Sequence, residues 1–304
     1  MVIPVYNEEE ILEQVFSRLE KTLDSLDYEL IFVNDGSTDG SGELIEKYCR
    51  ENPRVRLLEL SRNFGQYYAV SAGLDRARGE AVVVLDADLQ DPPELIPQMI
   101  EKWKQGFQVV VGIRKSRPGR GLRNLGLRFF NRLFVWLADW SAPVSGGFAL
   151  MDRQVVEQLI RLTERHRYLP GLRSWVGFRQ TEIYYEREER IGGKSKWSFF
   201  QLVSYGLDAI LSFSHKPLRL TWFLGLGISS VCFIYGLVLT VLRILGIGVV
   251  RGFTTIAVSL FFLGGVQLIA IGLLGEYLAR VYDEVKQRPL YIVAREYPPP
   301  EESG

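Results

Sequence analysis

Asp86 and Asp88 close the apolar run Ala81-Val82-Val83-Val84-Leu85, so a strand-like segment delivers two carboxylates one residue apart. A run of branched residues suits a parallel strand covered on both faces, which buries the run and lets the acids emerge at the ligand crevice beyond it. Hard oxygen ligands of this kind favour Mg²⁺ or Mn²⁺ bridging to substrate phosphates. The pair is therefore the outline of a metal-diphosphate site. Asp-X-Asp also occurs by chance in loops, and its neighbours decide its meaning.

The elements that must position the pair are legible along residues 1–190. Val2 to Tyr6, Ile31 to Val33, Val55 to Leu58, Ala81 to Leu85 and Val109 to Val111 read as strands, and segments 9–25, 41–51, 67–78 and 93–105 as amphipathic helices. This βαβα order implies a doubly wound, mainly parallel sheet with helices on both faces, and ligands bind beyond the carboxyl ends of such strands. Four polar clusters fall there: Tyr6-Asn7-Glu8, Asn34-Asp35-Gly36-Ser37, Arg62-Asn63-Phe64-Gly65 and Asp86-Ala87-Asp88. Together they predict a nucleotide and metal crevice. The sequence has neither a G-x-x-x-x-G-K-[ST] loop nor a G-x-G-x-x-G after the first strand, so phosphate charge falls to a cation and to basic side chains. Arg114 ends a strand, Arg120, Arg123 and Arg128 follow it, and Arg187, Arg190, Lys194 and Lys196 cluster further on. Their grouping beside the membrane segments suits a phosphate carried on a lipid.

Composition excludes several functions. The 36 basic residues balance 36 acidic ones, which gives no electrostatic basis for nucleic acid as a partner. The two cysteines, Cys49 and Cys232, fall in segments of different polarity, which excludes a disulfide framework and points to a reducing side. With only two histidines and no Cys/His cluster, a zinc site is not expected. Near residue 218 the composition changes: Leu220 to Leu242 and Thr254 to Leu274 are uncharged, each near the roughly 20 residues a spanning helix needs. Two spans return the chain to its starting side. The flanks, with Lys216, Arg219, Arg280, Lys286 and Arg288, carry more positive charge than the connector, which places the catalytic part and both termini in the cytoplasm and the protein in the cell (inner) membrane. Trp197 to Leu211 has apolar residues at helical spacing, predicting an interfacial amphipathic helix. The opening residues, with Glu8-Glu9-Glu10, are too charged for a signal peptide, and a chain that opens directly on a strand suggests a few further residues upstream. The expected organisation is a catalytic domain over 1–190, a juxtamembrane region over 191–217, two spans over 218–275 and a cytoplasmic tail over 276–304, unstructured after Tyr297.

Val2-Ile-Pro-Val-Tyr-Asn-Glu-Glu9, Phe32-Val-Asn-Asp-Gly-Ser-Thr-Asp39, Asp86-Ala-Asp-Leu-Gln-Asp-Pro-Pro93 and Gly193-Lys-Ser-Lys196 resemble glycosyltransferase family 2, GT-A type. With two spans after the domain, the chain is most similar to the polyprenyl-phosphate glycosyltransferases, the group of bactoprenol glucosyltransferase and dolichyl-phosphate mannose synthase. The resemblance implies that Pro4, Tyr6, Glu8 and Asp35 hold the nucleotide. It implies that Asp86 and Asp88 serve ribose and metal-bound diphosphate, with Asp88 the metal ligand, and that Gln90 lies near donor sugar or acceptor. Arg114, Arg128, Arg190, Lys194 and Lys196 would face phosphates, Arg114 at the reacting centre and the others at the acceptor. Two departures stand out: Gly147 and Ala149 occupy positions where related members often carry Asp and Arg, and Asn34 replaces a frequent Asp.

The expected reaction is inverting transfer of a sugar, glucose from UDP-glucose, to polyprenyl (undecaprenyl) phosphate. A lipid phosphate has a second pKa near 6 and needs no general base, so loss of a candidate base at position 147 is survivable. A processive polysaccharide synthase is a rival, but it would want Gln-x-x-Arg-Trp and more spans, which Arg173-Ser-Trp175 does not meet. A membrane-tethered nucleotide-sugar binder without turnover is the other rival, and homo-oligomers are compatible with every reading.

Overall fold

The computed structural model describes residues 1–115, 147–186, 214, 216–245 and 252–299. Two compact units divide the chain, one built from residues 1–121, 142–198 and 288–304 and the other from 122–141 and 199–287.

The first unit begins with β1 (Val2–Val5), α1 (Glu9–Leu23), β2 (Leu30–Asn34), α2 (Ser41–Glu51), β3 (Val55–Leu60), α3 (Gln66–Arg76) and β4 (Ala81–Val84). A single 3₁₀ turn at Pro93–Leu95 leads into α4 (Ile96–Lys104), then β5 (Val109–Arg114). After these come β6 (Ala149–Asp152), α5 (Arg153–Arg161), α6 (Leu169–Trp175) and β7 (Gln180–Tyr185). The predicted strands and helices up to residue 114 are all present. In α1, Ile11, Leu12, Val15, Phe16, Leu19 and Leu23 are buried, the one-sided stripe of a helix lying on a sheet. All five residues of β2 are buried, as an interior strand covered on both faces requires.

The eight strands form one sheet in the order β7-β5-β6-β4-β1-β2-β3-β8. Pairings β1–β2, β1–β4, β2–β3 and β5–β7 are parallel, whereas β6 runs antiparallel between β4 and β5, and β8 antiparallel to β3. The sheet is thus mixed, less uniformly parallel than the βαβα reading implied. Strand β6 was not anticipated because its four residues, Ala-Leu-Met-Asp, carry no period-two alternation. Helix α3 packs unusually close. A Cβ on Gly73 would stand 2.3 Å from Val2 Cγ1 and 3.1 Å from Val33 Cγ2.

The segment 276–304 differs from the tail expected of it. Residues up to Lys286 continue a helix, and β8 (Val293–Tyr297) closes the outer edge of the sheet against β3. Ion pairs flank the backbone ladder of that strand. Arg295 pairs with Glu59 at 2.8 Å and Glu46 at 2.6 Å, and Glu296 with Arg56 at 2.8 Å and Arg76 at 3.4 Å. Tyr291 donates a hydrogen bond to Asp75, and the Ser61 amide donates to the Ile292 carbonyl at 2.9 Å.

The second unit contains α7 (Lys216–Ile244) and α8 (Phe253–Lys286), both long and apolar enough to cross a membrane. Their large apolar side chains, such as Phe233 and Ile269, are exposed in the protein alone, which in a chain without lipid is the expectation for spanning helices. The interfacial helix expected over 197–211 lies outside the described residues.

Candidate active site

Strands β4, β1, β2 and β3 lie side by side and parallel, so their carboxyl ends open on one side of the sheet, and the four polar clusters gather there. The loops after β1 and β2 are stitched together. The Asn7 amide donates to Ser37 Oγ at 3.0 Å, Asn7 Oδ1 accepts from the Thr38 amide at 2.8 Å, and the Glu8 amide donates to Ser41 Oγ at 3.1 Å. Asn7 sits at φ +53°, a left-handed conformation that asparagine tolerates better than most residues. Gly36, at φ +68°, is obligatory: a Cβ there would lie 2.5 Å from the backbone of Arg62 and Asn63, where the loops after β2 and β3 cross.

Asp35 secures that crossing. Its carboxylate is buried and accepts the amides of Phe64 at 2.7 Å and Gly65 at 2.8 Å. Burial lifts its pKa, against the pull of those two amides and of Arg62. Both oxygens expected to meet a nucleotide therefore also hold the loop that opens α3. Pro4 lies within β1, in register with Val33, and Tyr6 is 38% exposed just beyond it.

The first residue of α3, Gln66, donates from Nε2 to Asp86 Oδ1 at 2.6 Å. Burial pushes the Asp86 carboxyl up to about 7, with Asp91 and Asp88 adding to the rise and Arg114 and Gln66 opposing it. Among the described residues, the acids around Asp86 thus outweigh the cations that offset them. Asp88 lies one turn of loop further, and its Oδ1 accepts the Gln90 amide at 3.2 Å. Leu89, between them, is fully buried at φ +54°, a region that costs a branched residue about 1–2 kcal/mol. Gln90 is 9% exposed, and its Oε1 has no hydrogen-bond donor among the described residues.

Arg114, expected to face phosphates, has its guanidinium engaged by Asp91. Nε and Nη2 reach the two oxygens of Asp91, each at 3.0 Å, and Tyr185 donates its hydroxyl to the same carboxylate. Asp91 is wholly buried, so removing this partner would strand a charge in the interior. The fork anchors the far end of the acidic loop. Gln66, Asp91 and Tyr185 were not singled out from sequence. Asp91 does stand within the acidic run 86–91, whereas Tyr185 comes from a distant strand and left no local signal. Arg128, Arg190, Lys194 and Lys196 lie outside the described residues.

Among the described residues no group of three or more His, Cys, Asp or Glu side chains could hold a metal ion unaided. Two or so carboxylate oxygens with surplus negative charge nonetheless fit a hard divalent cation that completes its shell with water and a substrate diphosphate.

The sheet, the acidic loop and the two apolar helices have their counterpart in known proteins. A family model described as glycosyl transferase family 2 matches residues 1–160, and one described as the GtrB C-terminal hairpin matches residues 216–281. The chain belongs to glycosyl transferase family 2. Among curated relatives, the uncharacterized glycosyltransferase YkcC of Bacillus subtilis is 42% identical over 98% of this chain and 93% of its own length. The bactoprenol glucosyl transferase of Shigella phage SfII is 40% identical over 98% of this chain and 97% of its own. The prophage bactoprenol glucosyl transferase homolog of Escherichia coli is also 40% identical, over 97% of this chain and 98% of its own.

Proposed function

We propose that this glycosyltransferase moves glucose from UDP-glucose to polyprenyl (undecaprenyl) phosphate at the cytoplasmic face of the membrane, inverting the anomeric centre. The observation that carries the reading is the acidic loop at the carboxyl end of β4, set in a crevice of parallel strand ends, in a chain that continues into two apolar helices. Full-length similarity to two proteins named for bactoprenol glucosyl transfer supports the acceptor.

The residues divide the labour. Pro4, Tyr6, Glu8 and Asp35 line the nucleotide end, where the loops after β1 and β2 are fastened to each other. Asp86 and Asp88 face the diphosphate and its cation, Mg²⁺ or Mn²⁺. Bound there, the cation would neutralise the leaving diphosphate as a Lewis acid. A phosphate oxygen of the acceptor attacks sugar C1, the bond from C1 to the diphosphate oxygen breaks, and its electron pair leaves with UDP. No proton must be removed, because the acceptor is already largely dianionic near neutrality. Gln90, with a buried acceptor oxygen turned to no described donor, would hydrogen-bond a hydroxyl of sugar or acceptor. Arg114 acts through Asp91 as a positioning residue, keeping the acidic loop in shape. Arg128, Arg190, Lys194 and Lys196 are the remaining cations proposed for the acceptor phosphate.

Membranes carrying the protein, given radiolabelled UDP-glucose, should yield glucosyl polyprenyl phosphate by mass spectrometry. Asp88→Ala should cut the rate on the order of a hundredfold or more while leaving the chain folded. Undiminished turnover in that variant would remove the assigned role of Asp88, and a product bearing another sugar would change the donor.

A further inference from the structure

Helix α8 has two different faces. Val266, Ala270, Leu273, Tyr277 and Arg280 recur every three or four residues and are partly or wholly covered, so this is the side on which the protein itself shields the helix. Leu263, Gln267, Ile271, Leu274 and Leu278 recur at the same interval on a neighbouring face, and all five are exposed.

Four of those five are large apolar residues that suit lipid. Gln267 does not. It lies inside the uncharged stretch Thr254 to Leu274, about 10 Å from the nearer end at 1.5 Å per residue, which is well within a hydrocarbon core. Other polar side chains of the two helices are satisfied locally: Thr221, Ser230 and Thr240 each donate to the backbone carbonyl four residues earlier. Gln267 makes no hydrogen bond to any described residue. Its amide carries two donor hydrogens and an acceptor oxygen, and lipid tails offer a partner to none of them.

Orientation selects the partner. Every copy of the chain inserts the same way up, so α8 of a second copy runs parallel to the first and presents its own Gln267 at the same depth. An amide both donates and accepts, so two of them satisfy each other across a twofold axis along the membrane normal. We propose that α8 pairs with α8 of a second copy through Gln267, with Leu263, Ile271, Leu274 and Leu278 packing above and below it. One polar residue within an apolar stripe also fixes the register, because any slip leaves both amides facing apolar side chains. The inference goes beyond the proposed reaction and shares with it only the premise that α8 crosses the membrane.

The test uses the full-length protein, labelled with donor or acceptor fluorophores and reconstituted in liposomes, with energy transfer followed as the lipid-to-protein ratio is raised. The parent should self-associate, and Gln267→Leu should weaken association about three- to thirtyfold, the range for an interhelical hydrogen bond inside a membrane. Gln267→Asn, which keeps the amide, should retain more of the pairing than Gln267→Leu. In a Cys232→Ser background, Ile271→Cys should form a disulfide-linked dimer on oxidation and Ile269→Cys should not, although Ile269 is 75% and Ile271 62% exposed. A parent that stays monomeric at every ratio overturns the proposal, as does Gln267→Leu associating as tightly as the parent, or equal crosslinking from positions 269 and 271. Sugar transfer is assayed on the same liposomes. A parent that pairs through Gln267 yet transfers no sugar would overturn the proposed function and leave the pairing standing.

Discussion

At the scale of residues, the site is a set of acids whose charges are managed unequally. Asp91 is neutralised by the Arg114 fork, Asp35 by two backbone amides, and Asp86 by a single amide hydrogen from Gln66. Because burial and its acidic neighbours hold Asp86 at about 7, a divalent cation must compete there with a proton. A carboxyl raised in this way is mostly protonated at pH 6 and mostly charged at pH 8. Mn²⁺ affinity in the presence of UDP should therefore rise about tenfold between those values, the change in the ionised fraction around such a pKa. Electron paramagnetic resonance titration of free Mn²⁺ measures it, and Asp86→Asn should flatten the dependence. The acids at 86 and 88 were legible in the sequence because a strand-like run ends on them. Their partners were legible only in part: Arg114 stood out as the basic end of a strand, whereas Gln66 and Tyr185 come from other elements and reach the acidic loop only in the folded sheet.

At the scale of elements, the alternation of apolar strands with one-sided helices was enough to place everything from β1 to β5. The reading failed where packing, not periodicity, decides the element: β6 is four residues between two other strands, and β8 is an edge strand whose residues carry charge rather than apolar alternation. Helix α3 shows how tightly the sequence ties element to site. It lies on β1 and β2 at Gly73, and its first residue holds Asp86. Gly73→Ala would drive a methyl into Val2, and the helix could relieve the overlap only by lifting from the sheet. Stability should fall by about 1–3 kcal/mol in denaturant unfolding, the usual range for overpacking. Glycosyl transfer should fall further than the folded fraction, because Gln66 moves with the helix. Equal losses of both would show that the helix repacks in place.

At the scale of the whole molecule, the first and last described strands belong to one sheet although two apolar helices intervene in the chain between them. Removing residues 288–304 would strip the outer edge of β3 and leave Arg56, Glu59, Arg76 and Asp75 without their partners from the final segment. The truncated protein should melt at lower temperature and scatter light sooner on heating, since an uncovered strand edge invites pairing with another copy. Melting with static light scattering, in the same detergent as the full chain, checks this. An unchanged profile would mean that the charged edge of β3 protects itself. The same arrangement bears on biosynthesis. A ribosome releases the closing strand only after it has made both apolar helices, so the sheet waits with an open flank until that hairpin has been synthesised.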